Sequence, residues 1–213
     1  MSDKYPTQTT QQQEAVTEIA KLLSEAAIRM SAIDSTFKNQ LYPASIVVDF
    51  TYLQLRMLCE TVALICLVAH GDINASRTNK LHKEYAADNI IKQLEQLHAG
   101  FYPHPVTASQ TIGAVHIEKI LSGFLTKSEL VSLYHECGRK LHRGSLVKFR
   151  STSPQAHSTD IAKIQVWREK FVILINSFHI ASLNNLSHYL CFISSQQYDG
   201  KPMVVHALSP LPA

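Results

Sequence analysis

The stretch Tyr134-His135-Glu136-Cys137-Gly138-Arg139-Lys140-Leu141-His142-Arg143-Gly144 gathers two imidazoles, a carboxylate and two guanidiniums. At 3.6 residues per turn, His135, Arg139 and His142 (i, i+4, i+7) share one helix face. Glu136, Arg139 and Arg143 share an adjoining one, and Tyr134, Cys137, Gly138 and Leu141 form the apolar side. Lys148 and Arg150 continue the basic run. A guanidinium can hold a phosphate by paired hydrogen bonds, and an imidazole titrating near neutrality can move a proton on a phosphodiester without a metal. On that chemistry Arg139 and His142 form a candidate catalytic pair, with His135, Arg143, Lys148 and Arg150 as substrate-binding groups. The same residue types also suit a solvated helix end, where cations complement the helix dipole.

A second constellation is Arg56 and Glu60, spaced i, i+4 inside an apolar segment. A buried charge is costly unless paired, so the two are expected to pair with each other, with Tyr134 or His142 completing the network. One reading is a polar bolt that fixes helix register. The other is an acid and a cation lining a cleft. If both charges are largely buried, removing one leaves the other unpaired at a cost on the order of 3–5 kcal/mol.

These groups need elements to position them. Thr10 can cap a first helix to about Ser31, followed by a turn from Asp34 to Pro43. A second helix, about Ala44 to His70, is apolar on more than one face and is expected at the centre. A third, capped by Ser76 or Thr78, should end near Leu97 with Leu81 and Tyr85 facing the core. Phe101-Tyr102-Pro103-His104-Pro105 breaks any helix. Residues 106–124 read as a loop with a short strand or short helix. Thr126-Lys127-Ser128-Glu129 is a capping box opening the cluster helix. After a basic loop at 145–158, a last helix is expected from Ser158, Thr159 or Asp160 to about Asn184. Tyr189–Ser194 and Met203–Ala207 flank Asp199-Gly200 as a hairpin, which must pack on something to be stable. The expected fold is mainly α, an up-and-down bundle of about five helices with a small C-terminal β-hairpin. Residues 1–9 would form a disordered lead, 10–185 the bundle, and 186–213 the hairpin and tail.

Composition narrows the function classes. A chain of 213 residues can build one sizeable domain. A net charge of +3 does not by itself imply a nucleic-acid partner. The 17% charged content, low beside such apolar helices, suggests much buried surface, a subunit interface included. Cys59, Cys66, Cys137 and Cys191 form no CxxC pair and read as free thiols in a reducing cytoplasm. The polar N-terminus has no signal-peptide core, and the apolar run Thr61–Ala69 is short of a membrane span. There is no HExxH, no Cys/His metal spacing, no GxGxxG, no P-loop and no GxSxG, so no metal and no cofactor are expected.

Arg56-x-x-x-Glu60 in an early apolar helix, followed by Tyr134-x-x-Cys137-x4-His142 in a later one, resembles a loose group of prokaryotic all-helical proteins. These in turn resemble the HEPN superfamily (higher eukaryote and prokaryote nucleotide-binding domains). The resemblance covers roughly residues 10–185. It implies an up-and-down helical bundle, usually dimeric, and so a homodimer here. Active members of the superfamily are metal-independent RNases of toxin–antitoxin and phage-defence systems, with an Arg and a His meeting across the dimer interface. Carried over, these would be Arg139 and His142. In the family four to six residues separate the two; here only Lys140 and Leu141 do. Other relatives lack the motif and serve as binding modules. Two functions therefore stand: an RNase or RNA- or nucleotide-binding protein, and a non-catalytic helical interaction domain with a structural polar network.

Overall fold

Residues 9–39, 41–71, 83–111, 114–142, 154–183, 186–195 and 199–209 are described in the computed structural model. Helix α1 (Thr10–Asn39) buries Ala15, Ile19, Leu23, Ala26, Met30 and Ile33 at three- to four-residue spacing. It continues through the predicted turn. No glycine or proline interrupts residues 32–39, Ile33 is fully buried, and Arg168 pairs with Asp34.

Helix α2 (Ala44–Ala69) is long and apolar enough to cross a membrane by length and composition. However, 67% of its most apolar stretch is buried inside the protein, where α2 packs against all the other described helices.

Helix α3 (Ala87–Leu97) starts later than predicted; Ser76, Thr78 and Leu81 lie outside the described residues. The Glu84 carboxylate accepts the backbone N–H groups of Tyr85 and Ala86 and the side-chain amide of Asn89, which places the helix start after it. Tyr85 is 80% exposed, not in the core. The ambiguous stretch after Pro103 forms two strands, β1 (His104–Thr111) and β2 (Ala114–Lys119).

The capping box opens α4 (Lys127–Leu141), which carries the cluster. Helix α5 (Pro154–Asn176) begins and ends before the predicted bounds. The residues expected as its last turns are instead β3 (Ser177–Ala181), with Phe178 and Ile180 buried in alternation. β4 (Ser187–Ser195) and β5 (Lys201–Leu208) follow. In the turn before β5, Asp199 and Gly200 both adopt positive φ, 52° and 76°.

The small hairpin of the sequence reading is thus part of an antiparallel five-stranded sheet, ordered β2-β1-β3-β4-β5. A boundary at residue 185 would separate β3 from β4, which pair from Ser177↔Phe192 to Ala181↔His188. Phe178, Ile180, Tyr189 and Cys191 on one sheet face join the helical core. Two strands could not bury that face alone, and the extra strands supply the missing partners. Of the expected lead at 1–9, residues 1–8 lie outside the described residues; Thr9 Oγ1 accepts the Gln12 backbone N–H at 3.3 Å at the start of α1.

Candidate functional site

The cluster helix lies antiparallel to α2. Cys59 Sγ points at the Leu130 carbonyl, Arg56 reaches Tyr134, and Tyr52 reaches Glu136, so residue numbers rise on one helix as they fall on the other. Leu130, Leu133, Tyr134 and Cys137 are buried, while His135, Arg139 and His142 are exposed. Helical periodicity alone therefore placed the chemical face of α4 outward.

The inward seam is a set of paired polar groups. Arg56 Nη2 donates to the Tyr134 hydroxyl at 2.8 Å, and Arg56 Nε lies 3.3 Å from Glu60 Oε1. The guanidinium also sits 4.3 Å from the centroid of the Tyr134 ring, within cation–π range. Gly138 makes room for it, since a Cβ there would come 3.2 Å from Arg56 Nη1. Burial raises the Tyr134 phenol pKa, against the opposing pull of the Arg56 charge. The Arg56 and Glu60 side chains are 30% and 23% exposed, so the pair is half-buried rather than sealed off. Tyr134 completes this network; His142 caps the end of α4 at the surface.

A second set lies one turn along. Tyr52, fully buried, donates to Glu136 at 3.1 Å. Lys140 Nζ is 2.6 Å and 2.7 Å from the two carboxylate oxygens of Asp160, a buried residue on α5. Burial first and the Glu136 charge second push the Tyr52 phenol well above its usual range. On the other side, His135 lies 3.3 Å from Asp88 and borders a groove of about 560 Å3 between α3 and α4. Arg143, Lys148 and Arg150, the remaining substrate-binding candidates, lie outside the described residues.

The four cysteines are free and buried. Burial, with help from Glu136, pushes the Cys137 thiol up to about 12, so it is protonated and non-nucleophilic at neutral pH. Among the described residues no group of three or more His, Cys, Asp or Glu side chains is placed to hold a metal ion.

The structure also brings together groups that the sequence reading passed over. His179 Nε2 and His188 Nδ1 are 3.1 Å apart, and His188 Nε2 is 2.7 Å from the Ser209 hydroxyl. The two rings are nearly parallel, at 19° with centroids 5.2 Å apart. His104 is the strand partner of His179 across β1 and β3. Burial lowers the pKa of both His104 and His179; the Lys119 charge adds to it in each case, and His188 does so for His179. The hydrogen-bonded part of this set, His179–His188–Ser209, can pass a proton between neighbouring strands. Its only trace in the sequence is a pair of histidines nine positions apart around a turn, hidden when residues 177–184 are read as helix.

Comparison with known proteins finds no matching family model, curated protein or solved structure.

Proposed function

We propose that this chain is a helical interaction domain, acting in a reducing cytoplasm, whose polar seam is structural rather than catalytic. The observation that carries this reading is the outer face of α2. Ile46, Leu53 and Leu64 are 50%, 43% and 36% exposed on a helix whose other faces build the core. An apolar strip on a central helix costs solubility unless something covers it. The inward polar groups pair with one another: Arg56 with Tyr134 and Glu60, Tyr52 with Glu136, and Lys140 with Asp160. Paired in this way, the first two sets fix the register of α4 on α2, and the third ties α4 to α5.

Maleimide labelling in intact cells tests the reading. The native thiols are buried, so a cysteine introduced by Leu53→Cys reports on the strip alone. We expect it to be protected relative to Leu121→Cys, since Leu121 is 84% exposed on a loop. Equal labelling of both would overturn the interaction reading.

A second reading is favoured by the exposure of His135, Arg139 and His142 along one face of α4. In it the protein is a HEPN-like RNA- or nucleotide-binding domain, or a metal-independent RNase of a toxin–antitoxin or phage-defence system. Purified protein on mixed RNA in EDTA, with filter binding across salt, tests it. Arg139→Ala should weaken binding and flatten its salt dependence, and His142→Ala should abolish any turnover. Absence of both cleavage and salt-sensitive binding would remove this reading.

A further inference from the structure

We infer that the outer face of α2 docks a second copy of this chain, antiparallel to the first, about a twofold axis near Leu53. The inference rests on the interaction-domain reading and names its partner. Ile46, Phe50, Leu53, Met57, Glu60 and Leu64 recur at spacings of four and three, the period of a helix–helix seam. Ile46, Leu53 and Leu64 are exposed, and Phe50 and Met57 are half-buried, although the helix is otherwise core. The strip runs about 27 Å along the helix at 1.5 Å per residue. Leu41 and Tyr42, 75% and 62% exposed, extend it past the helix start.

The order of residues makes this face self-complementary. Turned end for end about Leu53, the strip sets Leu53 against Leu53 and Tyr42 level with Leu64, brings Phe50 to within one residue of Met57, and places Ile46 level with Glu60. In a twofold antiparallel pair the same flank of each helix meets its own copy, so residue i faces j and j faces i. Asp49 and Arg56 lie on one flank, seven residues apart, and this register brings each to within one residue of the other across the axis, about 1.5 Å along the helix. The Asp49 side chain is exposed and forms no hydrogen bond or ion pair among the described residues, and Arg56 keeps 30% of its side chain exposed. A copy of the chain therefore answers both the apolar strip and its charged flank. An unrelated partner would have to supply a carboxylate near that same height. Two such faces would bury on the order of 1,000 Å2 of apolar surface, enough for a specific pair.

Light scattering on the purified full chain, joined to cysteine cross-linking, tests the proposal. We expect a dimer in the wild type. Leu53→Asp places two charges at the axis and should weaken the dimer about a hundredfold or more, with far-UV circular dichroism unchanged because Leu53 is not in the core. Leu53→Cys should form an intermolecular disulfide on mild oxidation, because a disulfide needs Cα atoms within about 7 Å and only the axial residue meets itself. Leu64→Cys and Leu121→Cys should not. A monomeric wild type overturns the inference, as does a dimer untouched by both Leu53 substitutions. Protein that stays monomeric but floats with lipid vesicles would assign the strip to a membrane surface and overturn it too. A strip protected in cells on a protein that is monomeric when pure would leave the interaction reading intact and remove the second copy as its occupant.

Discussion

Gly138 is where helix propensity and side-chain chemistry oppose each other. A glycine inside a helix costs roughly 0.5–1 kcal/mol relative to alanine. An added Cβ would meet Arg56 Nη1 at 3.2 Å, and that guanidinium is held by the Tyr134 hydroxyl and Glu60. We expect Gly138→Ala to be near neutral in the wild type, the propensity gain being spent on displacing Arg56. With Arg56 replaced by Met, the same change should stabilise by about 1 kcal/mol. Arg56→Met alone should cost about 1–2 kcal/mol, between an exposed ion pair and a sealed one, because water reaches the rim of the network. This is less than full burial implies. Urea denaturation of the four proteins measures the coupling. An equal effect of Gly138→Ala in both backgrounds would separate the glycine from the guanidinium. The i, i+4 pairing of Arg56 with Glu60 was legible because both sit on one helix. The depth of Arg56 was not, because it depends on a glycine 82 positions away on another helix.

Among elements, α4 was the most legible. Its start is local chemistry: the Thr126 side chain accepts from the Glu129 backbone N–H, and Glu129 reaches back to the Thr126 backbone N–H at 3.0 Å. Glu129 also pairs with Lys170 on α5, tying the cap to a neighbouring helix. Burial alone would raise the Glu129 pKa, but Lys170 and the Thr126 groups outweigh it and hold the carboxyl below its usual range. Its contribution is therefore present above about pH 4.5 and is lost as pH falls through the folded value. Thr126→Ala should cost about 1 kcal/mol at neutral pH, and Thr126→Ser much less. Thermal melts of the two variants check this, and equal losses would deny the side-chain cap. The boundary between α5 and β3 was illegible by contrast. Ser177-Phe178-His179-Ile180-Ala181 follows α5 without a glycine or proline, and only pairing with β1 and β4 selects the extended form.

At the scale of the molecule, the sheet makes stability depend on pH near neutrality. His104, His179 and His206 all titrate below an ordinary imidazole, burial being the first cause for each. The unfolded chain takes up protons below about pH 6.5 that the folded chain refuses. Stability is therefore complete above that value and falls as pH drops toward the lower folded values. We expect the melting temperature to decline between about pH 7 and pH 5.5, above the window in which Glu129 titrates. His179→Gln should flatten the decline, because it removes one such group and relieves its repulsion with His188. A melting temperature independent of pH across this interval, measured by differential scanning calorimetry, would contradict the assignment.

Sequence alone determined that helices exist and which faces they bury, though not all their bounds, because a helix closes its hydrogen bonds four residues apart and writes its buried face as a 3.6-residue period. That period marked α2 as central, turned Tyr134 and Cys137 inward and set Arg139 on the opposite face; the exposure of His142, which the sequence also allowed in the buried network, was decided by the structure. The tertiary structure alone decided what lies far apart in the chain. β1 pairs with β3 between residues 104–105 and 178–179, a closure over more than seventy residues that no local pattern records. The same closure lines up His104, His179 and His188 across three strands, chemistry that exists only once the strands have met.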